Sequence, residues 1–142
     1  RLVDACRSLG ADVLALQEID RDQARSGGVD QTAAVAEAMG AAAWRFEPAL
    51  VGEPGARWRA ADDRETTAPG YGVGLVSRLP VRAWHVVRLR AAKVRAPVAV
   101  PGGRGRFILL PDEPRVALAA EVDMAGSQTT RVLLLLCRGT IG

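Results

Sequence analysis

The stretch of sequence that decides the fold reads Gly10-Ala-Asp-Val-Leu-Ala-Leu-Gln-Glu-Ile-Asp20. Residues 13–16 form a short apolar run without a polar interruption, which predicts a strand over residues 12–19 that is buried on both faces. The run is followed by Gln17 and Glu18. A carboxylate is costly to bury there unless it is paired or bound to a cation, and ligands collect at the carboxyl ends of strands in α/β folds. Glu18 is therefore the first candidate for a binding site.

The composition describes a folded chain with an uneven charge distribution. It has 142 residues, of which 49 % are apolar, and this suits one domain with a sizeable core. The net charge is +3, and residues 66–111 contain eight Lys or Arg and no Asp or Glu. Such a segment indicates either a surface that faces an anion or a solvated basic surface, and both interpretations stay open.

Targeting and membrane signals are not visible in the sequence. The longest apolar run, residues 132–137, is far shorter than the ~20 residues of a membrane helix, so we expect no transmembrane segment. The chain begins at Arg1 without a methionine and enters a helical pattern at once, which leaves room for a missing upstream segment. The expected location is cytoplasmic, or secreted if an upstream signal is missing.

Two helices are predicted near the start of the chain. Apolar residues at helical spacing predict the first over residues 2–9. Asp30 is the expected N-cap of the second, Gln31–Met39, and Gly40 its expected stop. The residues of this helix that should face the core are Ala33, Ala36 and Met39.

Strands follow the helices. They are predicted at residues 42–48 with Trp44 and Phe46 on one face, and at residues 71–77, 84–90, 106–110, 115–123 and 131–137. Residues 51–69 and 91–105 are predicted as long loops, and residues 106–110 and 115–123 as a hairpin. The alternation of residues 116–122 predicts one buried face. This order predicts an α/β (α+β) fold with one layer of helices on a mixed and largely antiparallel sheet.

Cys6 and Cys137 lie far apart in the sequence, without a CxxC spacing or a nearby pair of histidines. This pattern argues against a zinc site, and buried free thiols are favoured over a disulfide.

Residues 11–20, Ala-Asp-Val-Leu-Ala-Leu-Gln-Glu-Ile-Asp, resemble a strand of the endonuclease/exonuclease/phosphatase superfamily, the group related to deoxyribonuclease I. Further similarities follow in the order of that family. Residues 71–81, Tyr-Gly-Val-Gly-Leu-Val-Ser-Arg-Leu-Pro-Val, are similar to a strand that usually reads close to G-x-A-x-L-S-R-x-P. Residues 114–120 resemble the next strand, and residues 131–136 fill the place of the one after it.

The resemblance implies a fold and an activity. The fold would be a partial four-layer α/β/β/α sandwich of the deoxyribonuclease I-like type, in which residues 1–142 form a single incomplete domain, the amino-terminal half. The activity would be that of a divalent-metal-dependent phosphoesterase, with Glu18 binding Mg²⁺ (or Mn²⁺) as the catalytic metal ligand and Gln17 positioning it. The implied partners are phosphodiesters or phosphomonoesters, with nucleic acid among them.

The alternative for Glu18 is a carboxylate that is solvated or paired with Arg21 or Arg25. The substrate-binding candidates are Arg115, Tyr71 and Arg78. Arg115 matches a family arginine that faces the phosphate, and its alternative is an ion pair with Asp112 or Glu113.

The sequence also departs from the family pattern. The strand at residues 131–137 is followed by Arg-Gly-Thr-Ile-Gly, where the family places a catalytic histidine, and later acidic and histidine elements have no counterpart. His85, the only histidine, lies in a strand pattern and is interpreted as structural or as a surface residue. We therefore expect this chain alone to be inactive or nearly so. The alternatives are a truncated relative that acts as a binding module or has no function of its own, and a nucleic-acid binder that uses residues 78–106.

Overall fold

The computed structural model describes residues 2–53, 58–89, 96–99, 107–110, 114–123 and 130–138. The helices are α1 (Leu2–Ser8) and α2 (Gln31–Met39), and a short 3-10 helix covers Ala24–Ser26. The strands are β1 (Val13–Arg21), β2 (Ala43–Val51), β3 (Arg59–Ala60), β4 (Gly70–Ser77), β5 (Val81–Leu89), β6 (Ala96–Ala99), β7 (Phe107–Leu110), β8 (Arg115–Asp123) and β9 (Thr130–Arg138).

The strands form three antiparallel sheets. A four-stranded sheet has the order β1-β4-β2-β3, a three-stranded sheet has the order β5-β8-β9, and β6 pairs with β7. One face of the four-stranded sheet packs against α1 and α2. Its other face packs against the three-stranded sheet. The predicted mixed fold with few helices and largely antiparallel sheets is confirmed.

Helix α2 begins and ends where the sequence predicts. The Asp30 carboxylate accepts a hydrogen bond from the backbone N–H of Ala33 at 2.9 Å, which satisfies one of the free N–H groups of the first turn. Gly40 ends the helix with a φ of 62°, a left-handed conformation that favours glycine. Of the predicted core residues, Ala36 and Met39 are buried and Ala33 is half-buried; Thr32 and Val35 are also buried.

The core between the two sheets includes the inner face of β8. Val116, Leu118, Ala120 and Val122 are all buried there, as the period-two alternation predicts. The expectation of a single buried face is wrong for the first part of the strand, because Ala117 and Ala119 on the other face are buried as well. Cys6 is buried as expected, and burial raises the pKa of its thiol. The side chain of Cys137 lies outside the described residues. Within the described part of the chain, no helix is long and apolar enough to span a membrane.

The structure corrects two strand predictions. The expected hairpin of residues 106–110 and 115–123 is wrong, because β7 pairs with β6 and β8 lies between β5 and β9. Burial of the first strand on both faces is also wrong. Among the described strands β1 is an edge strand: Leu16 is buried against the helices and Val13 packs partly against the core between the sheets, but Ala15 is exposed.

Two predicted loops contain short strands. The loop predicted at residues 51–69 includes β3, and the one predicted at residues 91–105 includes β6.

Trp44 and Phe46 of β2 are predicted on one face, but only Phe46 is buried; Trp44 is 43 % exposed.

Candidate functional site

Glu18 lies on a β-bulge near the end of β1. In the pairing of β1 with β4, Leu16 lies opposite Gly74 and Ile19 opposite Gly72, so Gln17 and Glu18 share one position. Glu18 has a φ of 54°, which is unusual for a residue other than glycine. Bulges re-aim side chains, and strained backbone is concentrated at functional sites. The Glu18 side chain is accordingly turned out of the strand's regular alternation and is exposed.

The two arginines considered as partners for Glu18 bind elsewhere. Arg25 pairs with Asp20, with Nη2 at 2.6 Å from Oδ1 and Nε at 3.0 Å from Oδ2. Arg21 donates to the backbone carbonyl of Ala68. Pairing of Glu18 with Arg21 or Arg25 is therefore wrong, and no residue in the described ranges forms an ion pair with Glu18. The exposed side chain of Glu18 agrees with the other alternative, a solvated carboxylate.

Tyr71 lies at the same end of the sheet as Glu18. It pairs with Asp20 across β1 and β4 and is 8 % exposed. The Arg25 guanidinium lies 5.3 Å from the centre of the Tyr71 ring, and the Trp58 ring meets Tyr71 edge-on at 6.1 Å. The hydrogen bond to Asp20 raises the pKa of Arg25. Arg25 thus holds Asp20 and Tyr71 together, an arrangement that the sequence analysis missed because Trp58 and Tyr71 lie far from Arg25 in the chain.

Arg115 opens β8 and reaches the cleft between the two sheets. It lines a cavity of about 340 Å³ together with Ala49 and Ala60 of the four-stranded sheet and Arg88 and Leu89 of β5. Because Ala49 lies near the end of β2 that adjoins Tyr71 in the sheet, Arg115 is at the same end of the sandwich as Tyr71. Asp112 and Glu113, its alternative partners, lie outside the described residues.

Arg78 lies apart from the other candidates. Its backbone N–H donates to the Asp12 carbonyl at 2.8 Å, and its Nε donates to the Met39 carbonyl at 2.9 Å. These contacts are at the opposite end of β1 and β4 from Glu18. The structure therefore does not bring Arg78 together with the other predicted residues.

A second cavity adjoins the candidate site, and Glu18 is not among the residues that line it. It has a volume of about 530 Å³ and is lined by residues of the turn after β1 and of the segment that follows β2, among them Asp22, Arg25, Arg59 and Glu65. The hydrogen bond from Arg59 lowers the pKa of Glu65. Asp22 is the second non-glycine residue with a positive φ, at 56°. Arg59 and Glu65 neutralise each other in this cavity, whereas Glu18 on the bulge has no such partner among the described residues.

The side chains near the bulge of β1 fit only some kinds of divalent-metal site. No group of three or more His, Cys, Asp or Glu residues that could hold a metal occurs in the described part of the chain. Mg²⁺ keeps several of its waters and is often held by one or two carboxylates. An exposed carboxylate without a cationic partner, as at Glu18, fits a hydrated Mg²⁺ and not a site with several protein ligands.

Two packed antiparallel sheets with helices on the outer face of one of them define an α/β sandwich consistent with the deoxyribonuclease I-like fold. The sequence profile of the Endonuclease/Exonuclease/phosphatase family matches residues 1–136, and the chain belongs to this family. The resemblance predicted from the sequence is confirmed. No match was found among curated proteins, and none among solved structures.

Proposed function

We propose that this protein is a divalent-metal-dependent phosphoesterase in which the Glu18 carboxylate binds Mg²⁺ or Mn²⁺. The observation that carries this proposal is the left-handed backbone of Glu18, with a φ of 54°, on the bulge of β1. A strained conformation that presents a carboxylate to solvent adds nothing to the core, so a ligand-binding role is its best explanation. Family membership supports the reaction class.

Three side chains have separate roles in this proposal. Glu18 anchors the ion; when bound, the ion polarises a phosphoryl oxygen and stabilises the leaving oxygen. Arg115 binds the phosphate, because a planar guanidinium matches two phosphate oxygens. Tyr71, held by Arg25 and Trp58, offers its hydroxyl to the substrate from a fixed position.

No histidine of the described residues lies beside the bulge of β1, where a general base would act. His85, the only histidine of the sequence, lies on β5 with its Nε2 at 2.7 Å from the Glu121 carboxylate on β8. This pair lies across the three-stranded sheet, away from the bulge of β1. We therefore propose that the 142-residue chain binds both the metal and a phosphate ester, but hydrolyses the ester slowly or not at all.

Metal titration by calorimetry tests the proposal. Mg²⁺ and Mn²⁺ are titrated into the parent protein, into Glu18→Gln, and into Glu37→Gln as a control for an exposed glutamate on α2. We expect the heat of binding to be lost in Glu18→Gln only. Equal binding by all three proteins would refute the role of Glu18. Rapid hydrolysis of a phosphodiester by the parent, lost in Glu18→Gln, would support the enzyme and refute the expected inactivity.

A further inference from the structure

A groove outside the candidate site combines aromatic rings with guanidinium groups. It has a volume of about 370 Å³. The residues that line it are Arg21, Trp44, Arg45, Phe46, Thr66 and Trp84. It lies along β2, where β3 pairs only with Leu50 and Val51, so the preceding residues of β2 form an open edge within the described sheet.

Not all of the aromatic side chains of the groove are buried in the core. Phe46 is buried, but Trp44 is 43 % exposed and Trp84 is half-buried. An exposed tryptophan next to other rings presents a flat apolar surface, and such surfaces on folded proteins mark interaction sites. A planar ligand could stack on Trp44 at little cost in conformational entropy, because the strand already holds it.

Arg21 supplies a buried positive charge to the groove. It is 8 % exposed, and its Cζ lies 4.5 Å from the centre of the Phe46 ring. Its Nε and Nη2 donate to the Ala68 carbonyl at 3.2 and 2.9 Å, and no carboxylate of the described residues forms an ion pair with it. Burial is the largest influence on the pKa of Arg21 and lowers it, while the charges of Asp30, Asp22 and Glu47 raise it and offset part of this effect. An anion in the groove would offset this cost of burial.

Arg45, the second arginine that lines the groove, forms an ion pair with a buried carboxylate. Its Nε and Nη2 lie 3.1 and 3.0 Å from Oε2 of Glu47. The other Glu47 oxygen binds Arg88 of β5, so one buried carboxylate serves two arginines. The lining of the groove thus contains two guanidinium groups, those of Arg21 and Arg45, and no acidic residue, which suits an anionic ligand.

We propose that this groove binds single-stranded nucleic acid, with an unpaired base stacked on Trp44 and the adjoining phosphate held by Arg21 and Arg45. Aromatic faces interleaved with basic side chains bind single strands because every base has a π-face and every linkage a phosphate. Duplex does not suit the groove, since its bases are already stacked on each other. The binding of a single strand by the groove does not depend on the proposed phosphoesterase function. The further step, that this strand is the substrate, rests on the proposed function.

The groove is close enough to the bulge to serve the same strand of nucleic acid. Arg21 follows Glu18 by three residues on β1, a distance of about 10 Å along a strand. A single strand held at Arg21 and Trp44 can therefore extend toward Glu18. The groove would select the substrate at a distance from the metal ligand.

Fluorescence anisotropy in the presence of EDTA tests binding without metal. The probe is a fluorescein-labelled oligothymidylate of about ten nucleotides, compared with an abasic oligomer of the same length and with duplex. Trp44→Ala should weaken oligothymidylate binding about 5- to 100-fold, whereas Trp44→Phe should retain most of it. Arg45→Gln should reduce the salt dependence of binding, while Arg7→Gln, an exposed arginine on α1, serves as the charge control.

The outcomes separate this inference from the proposed function. Three results would refute binding of single strands by the groove: equal affinity for the abasic oligomer and for oligothymidylate, higher affinity for duplex, or an unchanged affinity in Trp44→Ala. Absence of binding to the parent protein would do the same. Because the anisotropy experiment contains EDTA, a calorimetric result in which the parent protein binds no Mg²⁺, or in which Glu18→Gln binds it equally well, would refute the metal site and leave this result standing. Circular dichroism of each variant confirms that it is folded.

Discussion

Arg88 of the three-stranded sheet reaches across the core to Glu47 of the four-stranded sheet. Its Nη2 binds Oε1 of Glu47, whose side chain is 1 % exposed, and its Nη1 donates to the Pro48 carbonyl at 2.7 Å. The Nε of Arg88 also donates to Asp63, at 2.9 Å, in the segment between β3 and β4. One arginine therefore joins both sheets and the connecting segment at the end that carries the candidate site.

Removal of this arginine should destabilise the fold. Arg88→Ala leaves Glu47 buried with only Arg45 as a partner, and breaking a buried pair on one side costs about 3 kcal/mol in the free energy of unfolding. Urea unfolding followed by circular dichroism measures this change. The control is Asp63→Ala, which removes a partner that is 91 % exposed and should cost less than about 1 kcal/mol. Similar values for the two variants would contradict the structural role of the buried pair.

The bulge of β1 should be more stable with glycine at position 18. Glu18→Gly relieves a left-handed strain of about 1–2 kcal/mol and adds a backbone entropy cost of about 0.5–1 kcal/mol, so a net gain of up to about 1.5 kcal/mol is expected. Asp22→Gly, with a φ of 56°, is the matched control and should behave alike. Thermal and urea unfolding measure both. A loss of stability in Glu18→Gly alone would show that the Glu18 side chain contributes to folding and is not held there for a ligand.

Gly72 permits the close approach of β2 to β4. A Cβ at this position would lie 2.1 Å from the backbone oxygen of Glu47 and 2.8 Å from Cα of Pro48, and backbone cannot yield as a side chain can. Gly72→Ala should therefore lower the free energy of unfolding by about 3 kcal/mol. Gly74→Ala meets only side-chain atoms, of Thr32 and Ile19, and should cost less. The reverse order of the two costs, measured by urea unfolding, would contradict the pairing of β2 with β4.

The buried thiol of Cys6 should react slowly. Burial raises its pKa above the ordinary value of 9.0, so less thiolate is present in the folded protein than in the unfolded chain at the same pH. In a Cys137→Ser background, a thiol reagent at about pH 8 should modify the native protein much more slowly than protein in urea. Equal rates would show that Cys6 is accessible.

The same shift makes one contribution to stability depend on pH. Because the folded pKa of Cys6 lies above the unfolded value, its contribution is fully present below that unfolded pKa and is lost as the pH rises through the folded pKa. Comparison of the parent with Cys6→Ala at neutral and alkaline pH isolates this effect from the titration of Tyr71. A difference between the two proteins that grows as the pH rises would have the wrong sign.

Local signals in the sequence were enough for most helices and strands. Asp30 and Gly40 bound α2 because a carboxylate cap and a left-handed glycine act on neighbouring residues. The alternation of β8 predicted its buried face for the same reason. The sequence did not predict which strands pair. Residues 107–110 pair with β6 and not with β8, because pairing between strands depends on contacts that are distant in sequence.

The sequence alone determined the family, because several short segments match its pattern in the family's order along residues 1–136. It also singled out Glu18, because an apolar run followed by polar residues is a local pattern. Only the tertiary structure decided that Glu18 lies on a strained bulge, that Arg25 pairs with Asp20 and contacts Tyr71, and that Arg78 lies at the other end of the sheet. The groove of Trp44 and Arg21 likewise exists only in three dimensions. Its residues come from different strands, and their proximity follows from the order of strands in the sheet, which no local pattern of residues specifies.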